Sequence, residues 1–325
     1  MVALPPFTRQ MAIGPLEIRC SKGLGATALE HFGVKSLQQG GRGGSPKNKL
    51  LHQQCWKSGT KMNELASAVI LGLVEGLTEF LPISSTGHLI LAGALMNLDG
   101  PGIATVEISM QIGAILAVVV LYWSRFRGLL APTARQKFSG IYGLWLLFLT
   151  CLPAGMLGLA AHSRIKEFLF KPLPVALALV AGAVLMLFIE RKRPPARYAD
   201  LDAITPKLAL GIGFCQCFSL WPGFSRSASS IMGGMLLGVD RQTAADYSFI
   251  AAVPLIFAAS FFELCKSWST LGQSDWLFLG VGLAVSFISA MAAIKVFIRL
   301  LGRLGLAPFA WYRLALAPLV YWFFM

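Results

Sequence analysis

The sequence predicts an all-α polytopic membrane protein, with six transmembrane helices plus two re-entrant helix-loop-helix hairpins in an inverted-topology repeat. Three observations carry this. Of 325 residues, 56% are hydrophobic and only 13% are charged, outside the range of a soluble domain. Six apolar stretches approach the ~20 residues needed to cross a bilayer. Two short segments, EGLTEFLPISSTGH from Glu75 to His88 and PGFSRSASS from Pro222 to Ser230, set ionisable and hydroxyl residues inside apolar sequence.

Residues 1–61 stand apart. They hold nine Lys/Arg against two acids, several prolines and a glycine-rich patch from Gly40 to Gly44. No apolar run there is long enough for a signal-peptide core or a span, so this extension is expected to be disordered. Met62 then opens MNELASAVILGLVEGL, which reads as the start of a membrane domain, residues 62–325. Two readings stand: a working chain that begins at Met62, or a flexible tail ahead of it.

The first motif segment, residues 62–98, is followed by apolar runs from Ile103 to Trp123, Ile141 to Ala161 and Pro172 to Ile189. The second, residues 208–240, precedes runs from Ala245 to Leu264, Trp276 to Ile298 and Leu306 to Phe324. Arg125, Arg127, Arg135 and Lys137 in one connection and Arg191, Lys192, Arg193, Arg197 and Lys207 in another mark both as cytoplasmic; Arg299 and Arg303 mark a third. The loops at residues 97–102, 161–171 and 266–275 then lie outside. With this threading the halves, about 62–190 and 208–325, enter the membrane from opposite sides. Ser85 and Ser225 each stand three residues after a proline, Pro82 and Pro222, as a weak internal repeat would leave them.

Those prolines break the helix, and the Ser, Thr and Gly that follow favour irregular backbone. At membrane depth such backbone is tolerated only around a buried or hydrated cavity. Each motif segment is therefore expected to enter partway and return, the two tips meeting near the midplane. Two full crossings per segment is the competing topology, and charge bias does not separate them.

The net charge of +13 does not indicate nucleic-acid binding, because much of it lies in the first 61 residues and the rest mostly in loops, without an aromatic-interleaved platform. The six cysteines lack zinc-type spacing with histidine; Cys151, Cys215, Cys217 and Cys265 are expected to be buried apolar residues. Neither a Walker-type loop nor a Rossmann fingerprint is present.

A charge in the hydrocarbon region costs ~2.5–3.5 kcal/mol or more on insertion scales, so the motif residues need partners, a polar cavity or a chemical role. Glu75 and Glu79 share a helix face, and a divalent cation bridging them to phosphate or a carboxyl-held proton would offset their repulsion; two solvated glutamates at a loop mouth are the plainer alternative. His88 is a candidate proton carrier or nucleophile, against the plainer role of a hydrogen-bonded structural histidine. Ser84, Ser85 and Thr86 are candidate phosphate donors or nucleophiles, against the plainer role of backbone caps. Arg226 is suited to grip phosphate oxygens bidentately. Gly223, Ser225, Ser227 and Ser230 around it let backbone N–H groups approach an anion. Glu107, Gln111 and Gln216 are candidate supporting groups. The pattern points to a membrane-embedded site for a phosphorylated lipid.

At these residues the chain resembles the bacterial undecaprenyl-diphosphate phosphatases of the bacitracin-resistance type. Glu75, Gly76, Thr78, Glu79, Phe80, Pro82, Ser84, Ser85, Thr86, Gly87 and His88 match the first signature of that family; Pro222, Gly223, Ser225, Arg226 and Ser227 match the second. Where the family pattern continues with glycine and threonine, this chain has Ala228 and Ser230. The resemblance covers nearly all of residues 62–325. It implies hydrolysis of undecaprenyl diphosphate to the monophosphate, in the inner membrane with the site open to the outer face. It further implies a divalent metal, Mg or Ca, at Glu75 and Glu79; competition from bacitracin for the lipid substrate; and a homodimer as one candidate assembly.

Residue roles follow from resemblance and chemistry together: Glu79 and Glu75 in metal binding or acid/base work, Arg226 as phosphate clamp, Ser85 as nucleophile, His88 as proton carrier or alternative nucleophile. A lipid-phosphate flippase or secondary transporter is the alternative function, since broken helices and midplane polar sites also suit transport. A scaffold protein has no use for charges at membrane depth.

Overall fold

The structure, a computed structural model, describes residues 61–323 apart from 97, 99–100, 132–136, 170, 193–194 and 269–272. The basic extension, with Cys20 and Cys55, lies outside the described residues up to residue 60, as does the side chain of Glu107. Of two compact units, residues 7–63 are described only at their end, and the helices from Glu64 onward belong to the other.

Twelve α-helices are described: α1 (Lys61–Thr78), α2 (Ser85–Leu95), α3 (Pro101–Leu121), α4 (Trp123–Leu130), α5 (Gly140–Ala160), α6 (His162–Leu169), α7 (Pro172–Lys192), α8 (Pro206–Gln216), α9 (Arg226–Leu236), α10 (Arg241–Ser267), α11 (Gln273–Leu304) and α12 (Ala307–Phe323). Local sequence sets their ends. Pro101, Pro172 and Pro206 open α3, α7 and α8, where a missing N–H costs nothing. Asp240 caps α10 by accepting from the Gln242 N–H, and Arg191 and Lys192 close α7 at the negative end of its dipole. Among the described residues there is no sheet.

Each predicted apolar run falls on a helix. Helices α5, α7, α10 and α11 are individually long and apolar enough to cross a membrane, and α3 passes together with α4, which turns away from it by 85°. Helix α12 has 17 residues, near the lower limit for a span. Large side chains such as Ile141, Leu159 and Trp322 stand exposed on these helices. In a soluble protein such an apolar surface would aggregate; on apolar helices of this length it suits lipid.

Helix α3 packs on α10 and α11, α7 on α12, and α8 on α5. Glycines let the backbones approach. A Cβ on Gly72 would lie 2.6 Å from the Gly282 carbonyl, one on Gly113 would lie close against the Leu283 carbonyl, and one on Gly213 would lie 2.7 Å from the Thr150 carbonyl. Small residues at such contacts are how membrane helices gain packing without a hydrophobic drive. Inward from these contacts, the rings of Phe80, Phe249, Phe297 and Phe309 meet edge to face or tilted, with centroids 5.1–5.8 Å apart, and tie the first motif to α10, α11 and α12.

The connections assigned to the cytoplasm meet at one end. Asp202 accepts from Arg125 at 3.3 Å and from the Phe138 N–H at 2.9 Å. Glu190, at the end of α7, pairs with Arg241 and accepts from the Leu306 N–H at 3.2 Å, joining the third loop to the others. The cysteines are less buried than expected: Cys151, Cys215 and Cys217 are half-buried and Cys265 is exposed, because the helix faces that carry them are not fully covered by neighbouring helices.

Candidate active site

Both motifs fold as helix, tip, helix. In the first, α1 gives way to a turn closed by an Ile83 N–H to Leu81 carbonyl bond of 2.8 Å, and α2 begins at Ser85. In the second, α8 runs through a 3₁₀ turn (Cys217–Leu220) to Trp221, and α9 begins at Arg226. The residues just before α2 and α9, Ser84 and Ser225, have φ of 73° and 78°, and among the described residues they alone adopt positive φ without being glycine. Each hydroxyl accepts an N–H three residues on, that of Gly87 or Ala228.

This geometry corrects the register of the repeat. Counting from the prolines aligns Ser85 with Ser225, but the backbone aligns Ser84 with Ser225. The same spacing relates Gly72 to Gly213, the starts of α2 and α9, and their ends at Leu95 and Leu236. It sets Glu75 opposite Gln216 and Ser85 opposite Arg226. Proline is only one way to break a helix, and Gly223, with φ 95°, occupies the place that Pro82 holds in the first tip.

The tips share a pocket lined by Glu79, Ser84, Ser85, Thr86, Ser219, Leu220, Pro222, Gly223, Ser225, Arg226, Leu255 and Ile256. Within it the Ser85 hydroxyl donates to Glu79 Oε2 at 2.6 Å. Arg226 Nη2 lies 3.5 Å from the other oxygen of that carboxylate, and Nη1 donates to the Ser248 carbonyl at 3.1 Å. The guanidinium stands over the Phe80 ring, 5.6 Å from its centroid. Glu79, Ser85 and Arg226 are 3%, 5% and 6% exposed, so the three groups lie in a low-dielectric setting where charge interactions are weakly screened. Arg226 Nε has no partner among the described residues. Helices α2 and α9 both begin at this pocket, presenting first-turn N–H groups that have no acceptor within the helix.

Several predicted residues sit elsewhere. His88 does not line the pocket. Its Nδ1 meets the Ser84 carbonyl at 2.7 Å and its Nε2 the Tyr312 hydroxyl at 2.7 Å, with the two rings stacked. Ser227 and Ser230 also point away, since their hydroxyls serve the tips themselves. Ser227 donates to the Leu81 carbonyl of the opposite tip at 2.9 Å; Ser230 donates to the Arg226 carbonyl at 2.8 Å and meets Ser248 Oγ at 2.6 Å. Glu75 is wholly buried four residues before Glu79 and outside the lining. Gln216 is buried, with Nε2 at 3.5 Å from the Thr150 carbonyl, and Gln111 is buried with its amide oxygen unpartnered among the described residues.

Sequence reading missed Ser248, Ser219, Leu255 and Ile256. A lone serine in an apolar span carries no signal by itself. Its spacing from the motif, one face of α10 turned to α9, appears only once the helices pack.

Among the described residues no group of three or more His, Cys, Asp or Glu is placed to hold a metal ion. Of the two carboxylates expected to hold one, Glu79 lines the pocket and Glu75 does not.

Residues 68–319 match the family model for bacitracin resistance protein BacA. Over 262 residues the chain is 60% identical to the undecaprenyl-diphosphatase of Nitratidesulfovibrio vulgaris (strain DP4), covering 81% of this chain and 99% of that protein. That of Maridesulfovibrio salexigens is 61% identical with the same coverage, and that of Lawsonia intracellularis 50% identical over 80% of this chain and 98% of its own length.

Proposed function

The chain belongs to the bacitracin resistance protein BacA family, and from that premise we propose that it hydrolyses undecaprenyl diphosphate to undecaprenyl phosphate and inorganic phosphate. The observation that carries the reading at the site is the 2.6 Å bond from Ser85 to Glu79, with Arg226 beside the far oxygen of the same carboxylate.

Ser85 Oγ attacks the terminal phosphorus while Glu79 accepts its proton. A Ser85 oxygen–phosphorus bond forms, the bridging phosphorus–oxygen bond breaks, and its electron pair leaves on undecaprenyl phosphate. Water then attacks the phosphoserine, the Ser85 oxygen–phosphorus bond breaks with its electron pair on Oγ, Oγ takes back the proton held by Glu79, and phosphate departs carrying the water oxygen and its protons. Arg226 neutralises charge on the transferring group, its Nε and the α2 and α9 N–H groups supplying donors. Burial holds these donors fixed, so little reorganisation is needed during transfer. His88, engaged by Ser84 and Tyr312, supports the first tip from behind; its placement favours Ser85 as the attacking group.

A divalent ion, Mg or Ca, fits this donor set, because hard cations bind through one or two carboxylates plus substrate phosphate oxygens. Glu79 and Glu75 would hold it, and it would supply further neutralisation of the diphosphate. Six crossings with α1–α2 and α8–α9 as re-entrant hairpins is the topology we assign, in the inner membrane with the pocket opening to the outer face. The prenyl chain leaves past Leu220, Leu255 and Ile256, and bacitracin competes for the same lipid. Residues 62–325 form the catalytic domain, with the preceding basic segment outside it, and a homodimer is compatible with this arrangement.

The test is inorganic phosphate release from a C55 prenyl diphosphate by the full-length protein in detergent, with and without divalent metal, beside Glu79→Gln. Release lost in the variant supports the reading. No release from a folded, monodisperse sample would turn the assignment to lipid carriage, measured by flipping of fluorescent lipid phosphate in liposomes.

A further inference from the structure

Arg313, on α12, is the largest fully buried side chain described, with 0% exposure, and it does not line the pocket. Among the described residues no carboxylate pairs with it. A buried guanidinium without a counter-charge costs several kcal/mol, so its hydrogen bonds must offset that.

The bonds are unusual in where they go. Nε donates to the Leu179 carbonyl at 3.2 Å and Nη2 to the Ala178 carbonyl at 3.1 Å, both on α7. Nη2 also donates to the Gly223 carbonyl at 3.0 Å, and Nη1 to the Pro82 carbonyl at 3.4 Å, with Met186 Sδ 3.8 Å from Nη1. The Phe224 ring centroid lies 5.9 Å from the guanidinium carbon. All donors of the fork are thus directed at acceptors, which a lysine ammonium, a point donor, does not reproduce.

Pro82 and Gly223 are separated by the spacing that separates Ser84 from Ser225. Arg313 therefore bridges corresponding carbonyls of the two repeats, each three residues before a reacting group, Ser85 in one tip and Arg226 in the other. Helix α7 is shaped to admit it: a Cβ on Gly182 would crowd against Nη2, and would lie 2.8 Å from the guanidinium carbon. Among the described residues the direct links between the tips include Arg226 to Glu79 and to the Phe80 ring, and Ser227 to the Leu81 carbonyl.

We propose that Arg313 is a positioning residue, a single guanidinium that holds both broken-helix tips in register so that Ser85 and Glu79 on one meet Arg226 on the other. It acts through the tip backbones and does not touch substrate. The kinetic consequence rests on the phosphatase reading; the structural one does not.

Full-length Arg313→Lys and Arg313→Met, in detergent, test this by two readouts. Per folded molecule, kcat of Arg313→Lys falls about 100-fold while KM stays within about threefold, the signature of reacting groups displaced by ~1 Å, and Arg313→Met falls further. Hydrogen–deuterium exchange rises together in the peptides spanning residues 79–90 and 220–232 and not in α5. An unchanged kcat with unchanged exchange in both tips, or faster exchange confined to α7 and α12, overturns the proposal. Should neither Arg313 variant fold, Gly182→Ala, which crowds the guanidinium in place, is read by the same two measures. If the wild type releases no phosphate, the phosphatase reading falls and the exchange result alone decides the positioning role.

Discussion

Ser84 and Ser225 both hold positive φ, 73° and 78°, and carry the same hydroxyl cap, one in each repeat. A non-glycine residue there carries a strain of ~1–3 kcal/mol, offset in part by its cap. Glycine would remove the strain and lose only a few tenths of the cap, whereas alanine keeps the strain and loses ~1 kcal/mol of it. Thermal unfolding in detergent should rank the residues Gly at or above Ser, and Ser above Ala, at both positions. Opposite orders at the two sites would break the equivalence of the tips.

Ser85 donates to Glu79 at 2.6 Å, and in the proposed mechanism the two serve one step, so their losses should not add. Glu79→Gln keeps the shape of the side chain but removes the base, and Ser85→Ala removes the attacking oxygen. Each should lower kcat by about 100-fold or more, with the double variant little worse than the poorer single one. Phosphate-release kinetics on the three proteins decide it; multiplicative losses would mean independent roles.

Arg226 is held by Glu79, Ser248 and the Phe80 face at once, and a lysine cannot satisfy that geometry. Arg226→Lys should keep the fold, since a cation still faces the buried Glu79, while kcat falls by about 100-fold or more. Circular dichroism together with turnover separates the two effects. Near-normal turnover would remove Arg226 from transition-state stabilisation.

Much of this was legible in the sequence. The six apolar runs are long enough that each had to become a helix, and Glu79, Ser85 and Arg226 announced themselves as polar groups where lipid-facing sequence should be. The register of the repeat was not, because the second tip breaks at Gly223 and Trp221 as well as at Pro222. Arg313 was missed although a charge in the middle of an apolar run, residues 306–324, is itself a signal. In the sequence it reads as part of a span because no motif surrounds it: its acceptors are backbone carbonyls, which leave no trace in residue type. The role of His88 needed the fold too, since Tyr312 is far away in the chain.

Close packing of α1 on α11 makes Gly76 a stability determinant beside Glu75. A Cβ there would press into Ser289 Oγ and the Ser286 carbonyl and would lie 2.9 Å from the Ala290 nitrogen, the last two being atoms of a helix backbone that cannot swing aside. Gly76→Ala should cost about 1–3 kcal/mol as overpacking and lower the unfolding temperature. An unchanged midpoint would show that α1 slides freely on α11.

The bond from His88 Nδ1 to the Ser84 carbonyl separates two roles for this histidine. If it supports the tip, asparagine, whose amide nitrogen falls near the Nδ1 position, should preserve that bond, whereas alanine leaves the carbonyl without it. His88→Asn should then retain turnover well above His88→Ala, the gap reflecting a hydrogen bond of about 0.5–1.5 kcal/mol and the tip geometry it maintains. A histidine that attacked phosphorus would be replaced by neither, because an amide is not a nucleophile. Turnover of the two variants at saturating substrate, with acid-labile phosphoprotein looked for in the wild type, therefore discriminates: equal, near-complete loss in both variants with an acid-labile adduct transfers the nucleophile from Ser85 to His88.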